Sequence, residues 1–188
     1  NLANALPATL FLFFVKYVLN LEDKTGLFLI IYFLSAVVTF PFWIKLSNKI
    51  SNKFTWILSI IIAISAFSFV PFLKEFDFYY FAIICVITGM CLGADMALPS
   101  SIQADVANQT KQKDEDLTGV LFGFWAMITK LALSLAVAIS FITLEFTDFE
   151  ISNINEPSII AITIMYSIIP IILKLFSIIL LLKYKPTN

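Results

Sequence analysis

Long apolar segments separated by short polar breaks form the main pattern of this chain. Six segments are long enough to cross the bilayer core as helices, which takes about 20 residues each. They cover residues 2–19, 26–44, 55–73, 78–98, 120–144 and 158–182. Backbone polar groups in hydrocarbon must be satisfied within their own segment, and these runs lack the alternation of barrel strands. We therefore predict an all-α integral membrane protein, with six transmembrane helices in one domain over residues 1–188.

Composition agrees with this class. The chain is 60% hydrophobic and only 13% charged, whereas soluble domains are nearer a quarter charged. The net charge is −1, and the sequence contains neither histidine nor arginine, so nothing indicates a nucleic-acid partner. Because the chain begins with Asn1 and runs directly into apolar sequence, without a basic leader or cleavage site, we interpret it as a fragment rather than a chain with a signal peptide.

The lysines predict an orientation. Cytoplasmic loops of membrane proteins are enriched in basic residues. One set of breaks and the final segment carry most of the lysines, namely Lys45, Lys49, Lys53, Lys111, Lys113, Lys183 and Lys185. The opposite breaks hold Lys24 and Lys74 among many acids. We expect a multi-pass protein of the cell inner (plasma) membrane with both ends of this segment in the cytoplasm.

Three lysines lie inside the apolar segments, at different depths. Lys16 and Lys174 are closer to segment ends, and we expect their ammonium groups to extend to the interface. Lys130 lies near the middle of its segment, where a lysine costs at least about 2.5 to 3.5 kcal/mol unless it faces a wet cavity or an acid. Lys130 is therefore the candidate for a substrate or coupling site, the alternative being a lysine paired for folding only.

The residues around Lys130 support an inward orientation. Small and polar residues follow at helical spacing and would share one face with Lys130, namely Gly119, Gly123, Ala126 and Ser134. Asp95 is the acid inside an apolar segment, but it lies close to the segment's cytoplasmic end, so we do not expect it to pair with Lys130. A counter-charge from a missing partner domain is therefore predicted.

A second set of small residues lies on the fourth segment. Gly89, Gly93 and Ala97 follow at intervals of four, which would allow another helix backbone to approach closely.

With the segments placed, four stretches resemble a known family. They are NLANALPATLFLFFVKYVL (1–19), YFLSAVVTFPFWIKLSNKI (32–50), GADMALPSSIQADV (93–106) and GVLFGFWAMITKLALSLA (119–136). The resemblance is to the glycoside-pentoside-hexuronide:cation symporters, which include the melibiose carrier and belong to the major facilitator superfamily.

The resemblance implies that the six helices are helices seven to twelve, the C-terminal half of a twelve-helix carrier whose halves rock around a central site. Its partners would be the lipid bilayer, a small solute and the N-terminal six-helix half. In the family that half holds the cation site and the main sugar-binding carboxylates. No cofactor is implied beyond a coupling Na⁺ or H⁺.

The resemblance also implies roles for individual residues. The family's helix-eleven lysine matches Lys130, and its neighbours on the substrate side match Trp125, Ala126 and Thr129. Met96 matches a helix-ten position that faces the sugar. For Trp125 an ordinary interfacial role remains an equal alternative.

The cytoplasmic gate is less well matched. Asp105 corresponds to the first acid of the family's loop between helices ten and eleven, and we assign Asp105 and Asp95 to this gate. The family usually continues with a second Asp and a Tyr, where this chain has Asn108 and Gln109, and the loop's usual arginine is replaced by Asp116 and Leu117. These departures leave the charge network of the gate open.

The leading functional hypothesis is a cation-coupled symporter of a small solute, a sugar or glycoside, that works by alternating access. The alternative is a non-transporting membrane scaffold or assembly subunit, for which changes at Gly89 or Gly93 would matter more than changes at Lys130. An enzyme is disfavoured, because the sequence lacks histidine, metal-type cysteine spacing and an intramembrane acid pair.

Overall fold

Apolar helices make up most of the structure, a computed structural model that describes residues 1–111, 117–150 and 154–183, with side chains described to residue 108 before the first gap. The α-helices are α1 (Leu2–Phe13), α2 (Thr25–Ile50), α3 (Asn52–Phe69), α4 (Phe78–Lys111), α5 (Thr118–Phe146), α6 (Glu156–Tyr166) and α7 (Ile168–Lys183). A π-helix, Phe14–Val18, extends α1. Five spans are long and apolar enough to cross a membrane, and Leu2–Val18 is a shorter apolar helix. The all-α membrane class is thus confirmed, and each of the six predicted segments falls on apolar helix.

The helices pack as a bundle in which α4 is central. It lies against α2 on one side and α3 on the other, while α1 packs against α5, α6 and α7, and α7 also contacts α3. Aromatic side chains fill the interior where α1, α4 and α6 meet. Phe14 of the π-helix stacks on Tyr166 with ring centroids 4.3 Å apart, and both rings pack near the fully buried Phe81.

The small residues of α4 allow α2 to approach closely, as predicted. A Cβ added at Gly93 would lie 2.7 Å from the carbonyl oxygen of Ala36, and one added at Gly89 would collide with the carbonyl oxygen of Tyr32. Trp43 of α2 donates a 2.7 Å hydrogen bond to the Met90 carbonyl of α4. Because α2 of the same chain covers this ridge, it is not a free surface for a separate scaffold partner.

Helix α4 is longer than the sequence predicted. Its predicted segment stops at Leu98, but the helix continues through Pro99 to Lys111. Proline removes one backbone hydrogen bond, to the carbonyl four residues earlier, and bends a helix without always ending it. Asp105 therefore lies on a helix, and the prediction that it belongs to a loop is wrong. Gln109 and Asp116, where the sequence departs from the family's gate motif, lie outside the residues whose side chains the structure describes.

The sixth predicted segment is not one regular helix. It breaks at Ser167, whose backbone angles are φ −120° and ψ −63°. Pro170 lacks the N–H that would bond to the Tyr166 carbonyl, which accounts for the break at this point. At the break the Ser167 hydroxyl and its backbone N–H both donate to the Thr163 carbonyl, at 2.6 and 3.1 Å. The break separates α6, which carries Tyr166, from α7.

Candidate functional site

A buried ion pair joins α7 to α4. The Nζ atom of Lys174 lies 3.4 Å from Oδ2 of Asp95, and the two side chains are only 6% and 13% exposed. A charge moved out of water needs both an opposite charge and hydrogen bonds to compensate its lost hydration. The surroundings of this pair supply both.

Two further side chains complete the hydrogen bonding of the pair. Asn4 of α1 donates through Nδ2 to Oδ2 of Asp95 at 2.7 Å, and its Oδ1 accepts from the Lys174 ammonium at 2.7 Å. Trp56 of α3 donates through Nε1 to Oδ1 of Asp95 at 2.7 Å. The Asp95 carboxylate therefore has three donors from three different helices. This four-residue cluster (Asn4, Trp56, Asp95 and Lys174) ties α1, α3, α4 and α7 together.

The position of Lys174 corrects a prediction. Its ammonium was expected to reach the interface, but the residue is 5% exposed and its charge is neutralised inside the bundle. Because α4 continues to Lys111, Asp95 lies in the interior of its helix rather than near the helix end that the apolar segment had suggested. Lys16, by contrast, forms an ion pair with Glu22 beyond its helix at 2.8 Å, in line with its predicted reach to the interface.

Three members of the cluster, Asn4, Asp95 and Lys174, line one end of a cavity of about 270 Å³ between α1, α2, α3, α4 and the α6–α7 region. Most of the lining is aliphatic or aromatic, including Phe11, Leu12, Leu29, Phe33 and Phe67. The lining residues that carry polar side-chain atoms, cysteines aside, are Asn4, Tyr32, Thr88, Asp95, Tyr166 and Lys174. Leu12 and Phe33 are more than half exposed, so the cavity opens between α1 and α2. An apolar cavity with a charged end is suited to a molecule that has both characters.

The residues predicted around Lys130 lie elsewhere. Lys130 is exposed, and its ammonium has no ion pair with a carboxylate of the described chain. The polar stripe, defined as Gly119, Gly123, Ala126, Lys130 and Ser134, is exposed along its whole length. The structure thus agrees with the expectation that Asp95 does not pair with Lys130.

The other predicted substrate residues also lie outside the cavity. Met96 is 62% and Trp125 37% exposed, and neither lines the cavity. Thr129 is held in place by neighbours, since its hydroxyl donates to the Trp125 carbonyl at 2.9 Å and accepts from Asn1 Nδ2 at 2.9 Å. Their roles in substrate binding stay predictions.

The predicted gate residue Asp105 contacts the start of α3. Asn52 donates through Nδ2 to Ser101 Oγ at 2.9 Å and to Asp105 Oδ2 at 3.3 Å. Gln103, on the same part of α4, donates to the Leu121 carbonyl of α5 at 2.8 Å. These contacts connect α3, α4 and α5 at one end of the bundle, while the gate role itself stays a prediction.

The sequence analysis did not identify Asn4 and Trp56, and it did not predict that Lys174 pairs with Asp95. Asn4 and Trp56 each lie close to the start of an apolar segment, where polar and amphipathic residues are ordinary interface features. The available signal was the presence of two opposite charges, Asp95 and Lys174, in apolar segments otherwise nearly free of charge.

Comparison with known proteins places the chain in a family. The model of the family described as "MFS/sugar transport protein" matches residues 2–188. The sodium-dependent lysophosphatidylcholine symporter 1 of Xenopus tropicalis is 26% identical over 183 residues, covering 95% of this chain and 34% of the relative. The human symporter of that name is also 26% identical, over 93% of this chain and 33% of the relative.

A further relative has a different solute in its name. The sphingosine-1-phosphate transporter MFSD2B of Xenopus tropicalis is 22% identical over 158 residues, covering 82% of this chain and 30% of the relative. The chain spans about a third of the length of the curated relatives it matches. These relatives are transporters, which fits the prediction that the chain is not an enzyme. The resemblance to the melibiose carrier's family is confirmed, and the chain belongs to the MFS/sugar transport family of the major facilitator superfamily.

Proposed function

We propose that this chain is the C-terminal six-helix half of a cation-coupled symporter that carries a single-chain amphiphilic lipid by alternating access. The observation that carries the proposal is the apolar cavity with the Asp95–Lys174 pair at one end. An alkyl chain would lie along Phe11, Leu29 and Phe33, and a charged headgroup would lie near the pair. A cavity lined mostly by aliphatic and aromatic side chains can accept such a chain without many polar contacts.

The relatives support this solute class. Lysophosphatidylcholine and sphingosine-1-phosphate, the solutes in their names, each combine one long hydrocarbon chain with a phosphate group. The relatives named as sodium-dependent make Na⁺ the first coupling ion to test and H⁺ the second. The coupling site would lie largely in the N-terminal half. The carrier would lie in the inner (plasma) membrane, with both ends of the present segment in the cytoplasm.

A sugar or glycoside is the second candidate solute, favoured by the description of the family. A sugar ring needs hydrogen-bond partners on several sides, because each unpaired hydroxyl buried without a partner costs free energy. Apart from Asn4, Asp95 and Lys174, the cavity offers the hydroxyls of Tyr32, Thr88 and Tyr166, and Thr88 already donates to the Ile84 carbonyl. We therefore rank the lipid first.

The experiment is uptake by the full-length carrier reconstituted in vesicles, with flux corrected for protein-free vesicles. An inward Na⁺ gradient is expected to drive accumulation of labelled lysophosphatidylcholine, with no competition from melibiose. Ala8→Trp, at the cavity mouth, is expected to reduce this uptake strongly. Val38→Trp is the control, because Val38 is 65% exposed and lies outside the cavity. Melibiose uptake without lysolipid uptake would contradict the solute class but leave transport standing, and equal effects of both variants would contradict the cavity as the binding site.

The role proposed for Lys130 has a separate test. We propose that its charge responds to the solute or the cation during the cycle, because it lies near the middle of a long apolar helix without a described counter-ion. Lys130→Ala is expected to abolish accumulation against a gradient while the purified carrier stays folded. Unchanged coupled uptake in this variant would defeat the role.

A further inference from the structure

A second cavity, of about 520 Å³, opens on the other side of the α3–α4 pair. Its volume falls in the range of sites that hold small molecules. The walls are mostly apolar. Ile61 of α3 and Ile83 and Ile87 of α4 are among the lining residues, and Ser65 of α3 is a small polar residue among them. We call this cavity the α3–α4 groove. It is separate from the solute cavity described above and does not depend on which solute that cavity takes.

The groove faces outwards from the bundle. Its floor is made by the buried residues Ala66 and Ile84. The next residues along the chain, Phe67 and Cys85, line the inner cavity, so a wall of about one side chain separates the two. At the rim Phe69 is 66% exposed. Since α3 and α4 both have membrane-spanning length and hydropathy, the medium that meets this rim is the bilayer.

The polar end of the groove lies at the turn between α3 and α4. Asp77 lines the groove there, but its Oδ2 already accepts the backbone N–H of Lys74 at 2.8 Å. The Lys74 side chain is exposed, and its ammonium has no ion pair with a carboxylate of the described residues. A lysine at the membrane interface is placed to meet an anionic group of a lipid head. The phenol of Tyr80 adds an amphipathic group of the kind found at this depth.

We propose that the α3–α4 groove binds one acyl chain of a bilayer glycerophospholipid, with the lipid phosphate at Lys74. The mostly apolar walls match the chain. Lys74 follows the lining residue Leu73 in the chain, and its exposed ammonium matches the phosphate in charge. A sterol has no anionic group for Lys74, and a helix of a second copy would bring a backbone rather than a charge to this end.

The test uses the full-length carrier in vesicles that contain a glycerophospholipid with a photoactivatable group in one acyl chain. After irradiation, mass spectrometry locates the labelled residues. Ser65→Trp is expected to fill the groove and lower labelling of α3 and α4 about tenfold, equivalent to a loss of about 1.4 kcal/mol of binding free energy. Ser68→Trp is the matched control, because Ser68 is also an exposed serine of α3, three residues away, and does not line the groove.

A second variant, Lys74→Gln, removes the charge but leaves the groove walls intact. It is expected to lower labelling of α3 and α4 several-fold. Labelling concentrated on groove residues and lost selectively in Ser65→Trp and Lys74→Gln would support the site. Equal labelling in Ser65→Trp and Ser68→Trp, labelling spread evenly over the lipid-facing helices, or displacement of the phospholipid probe by a sterol would each overturn it.

Discussion

Removing one partner of the Asp95–Lys174 pair leaves the other charge buried. The hydrogen bonds that remain indicate which of the two substitutions destabilises the carrier more. In Lys174→Met, the Asp95 carboxylate keeps two of its three donors, from Asn4 and Trp56. In Asp95→Leu, the Lys174 ammonium keeps only Asn4 Oδ1, while the Trp56 indole N–H loses its acceptor. Breaking a buried pair costs about 3–5 kcal/mol. We therefore expect about 3 kcal/mol for Lys174→Met and about 5 kcal/mol for Asp95→Leu.

The double variant is the decisive measurement. Asp95→Leu with Lys174→Met removes both charges and replaces them by apolar groups, which is often near neutral at a buried site. The double variant should therefore be more stable than Asp95→Leu alone, in unfolding of the purified carrier by heat or by denaturing detergent. Single variants that each cost less than about 1 kcal/mol, or a double variant whose loss equals the sum of both, would refute the pairing.

Two further predictions concern the helices around the cluster. Gly93→Ala is expected to destabilise the carrier by about 1–3 kcal/mol through the contact with the Ala36 carbonyl, whereas Gly26→Ala, with open space at its Cβ, should be neutral or slightly stabilising in the same thermal unfolding assay. Pro170→Ala restores a backbone donor for the Tyr166 carbonyl, so hydrogen exchange near the α6–α7 break should slow; unchanged exchange would show that the break has another cause.

Sequence patterns predicted the features that depend on local composition. Apolar length located all six segments, and the spacing of Gly89 and Gly93 identified a ridge that allows close helix packing. Both features follow from a property of one helix alone, which the sequence contains in full. The family was also recognisable, because its motifs are contiguous runs within single helices.

The cluster could not be predicted in the same way. Lys174 and Asp95 are 79 positions apart, and their contact depends on how α7 packs against α4. The sequence also suggested that α4 ends near Pro99, which placed Asp95 at a helix end and made an interior pair look unfavourable. In the structure α4 continues through Pro99, so Asp95 lies in the helix interior, which the local preference of proline does not predict.

The structure separates the two deep lysines by how their charges are balanced. Lys174 is matched by Asp95 inside the six helices, so its charge contributes to holding four helices together. Lys130 lies on the exposed polar stripe, where the described residues offer it no carboxylate. A charge that is already paired cannot report the arrival of a cation or an anionic headgroup without first breaking its pair, at a cost of several kcal/mol. This difference is why we assign the proposed coupling role to Lys130 and a structural role beside the solute cavity to Lys174.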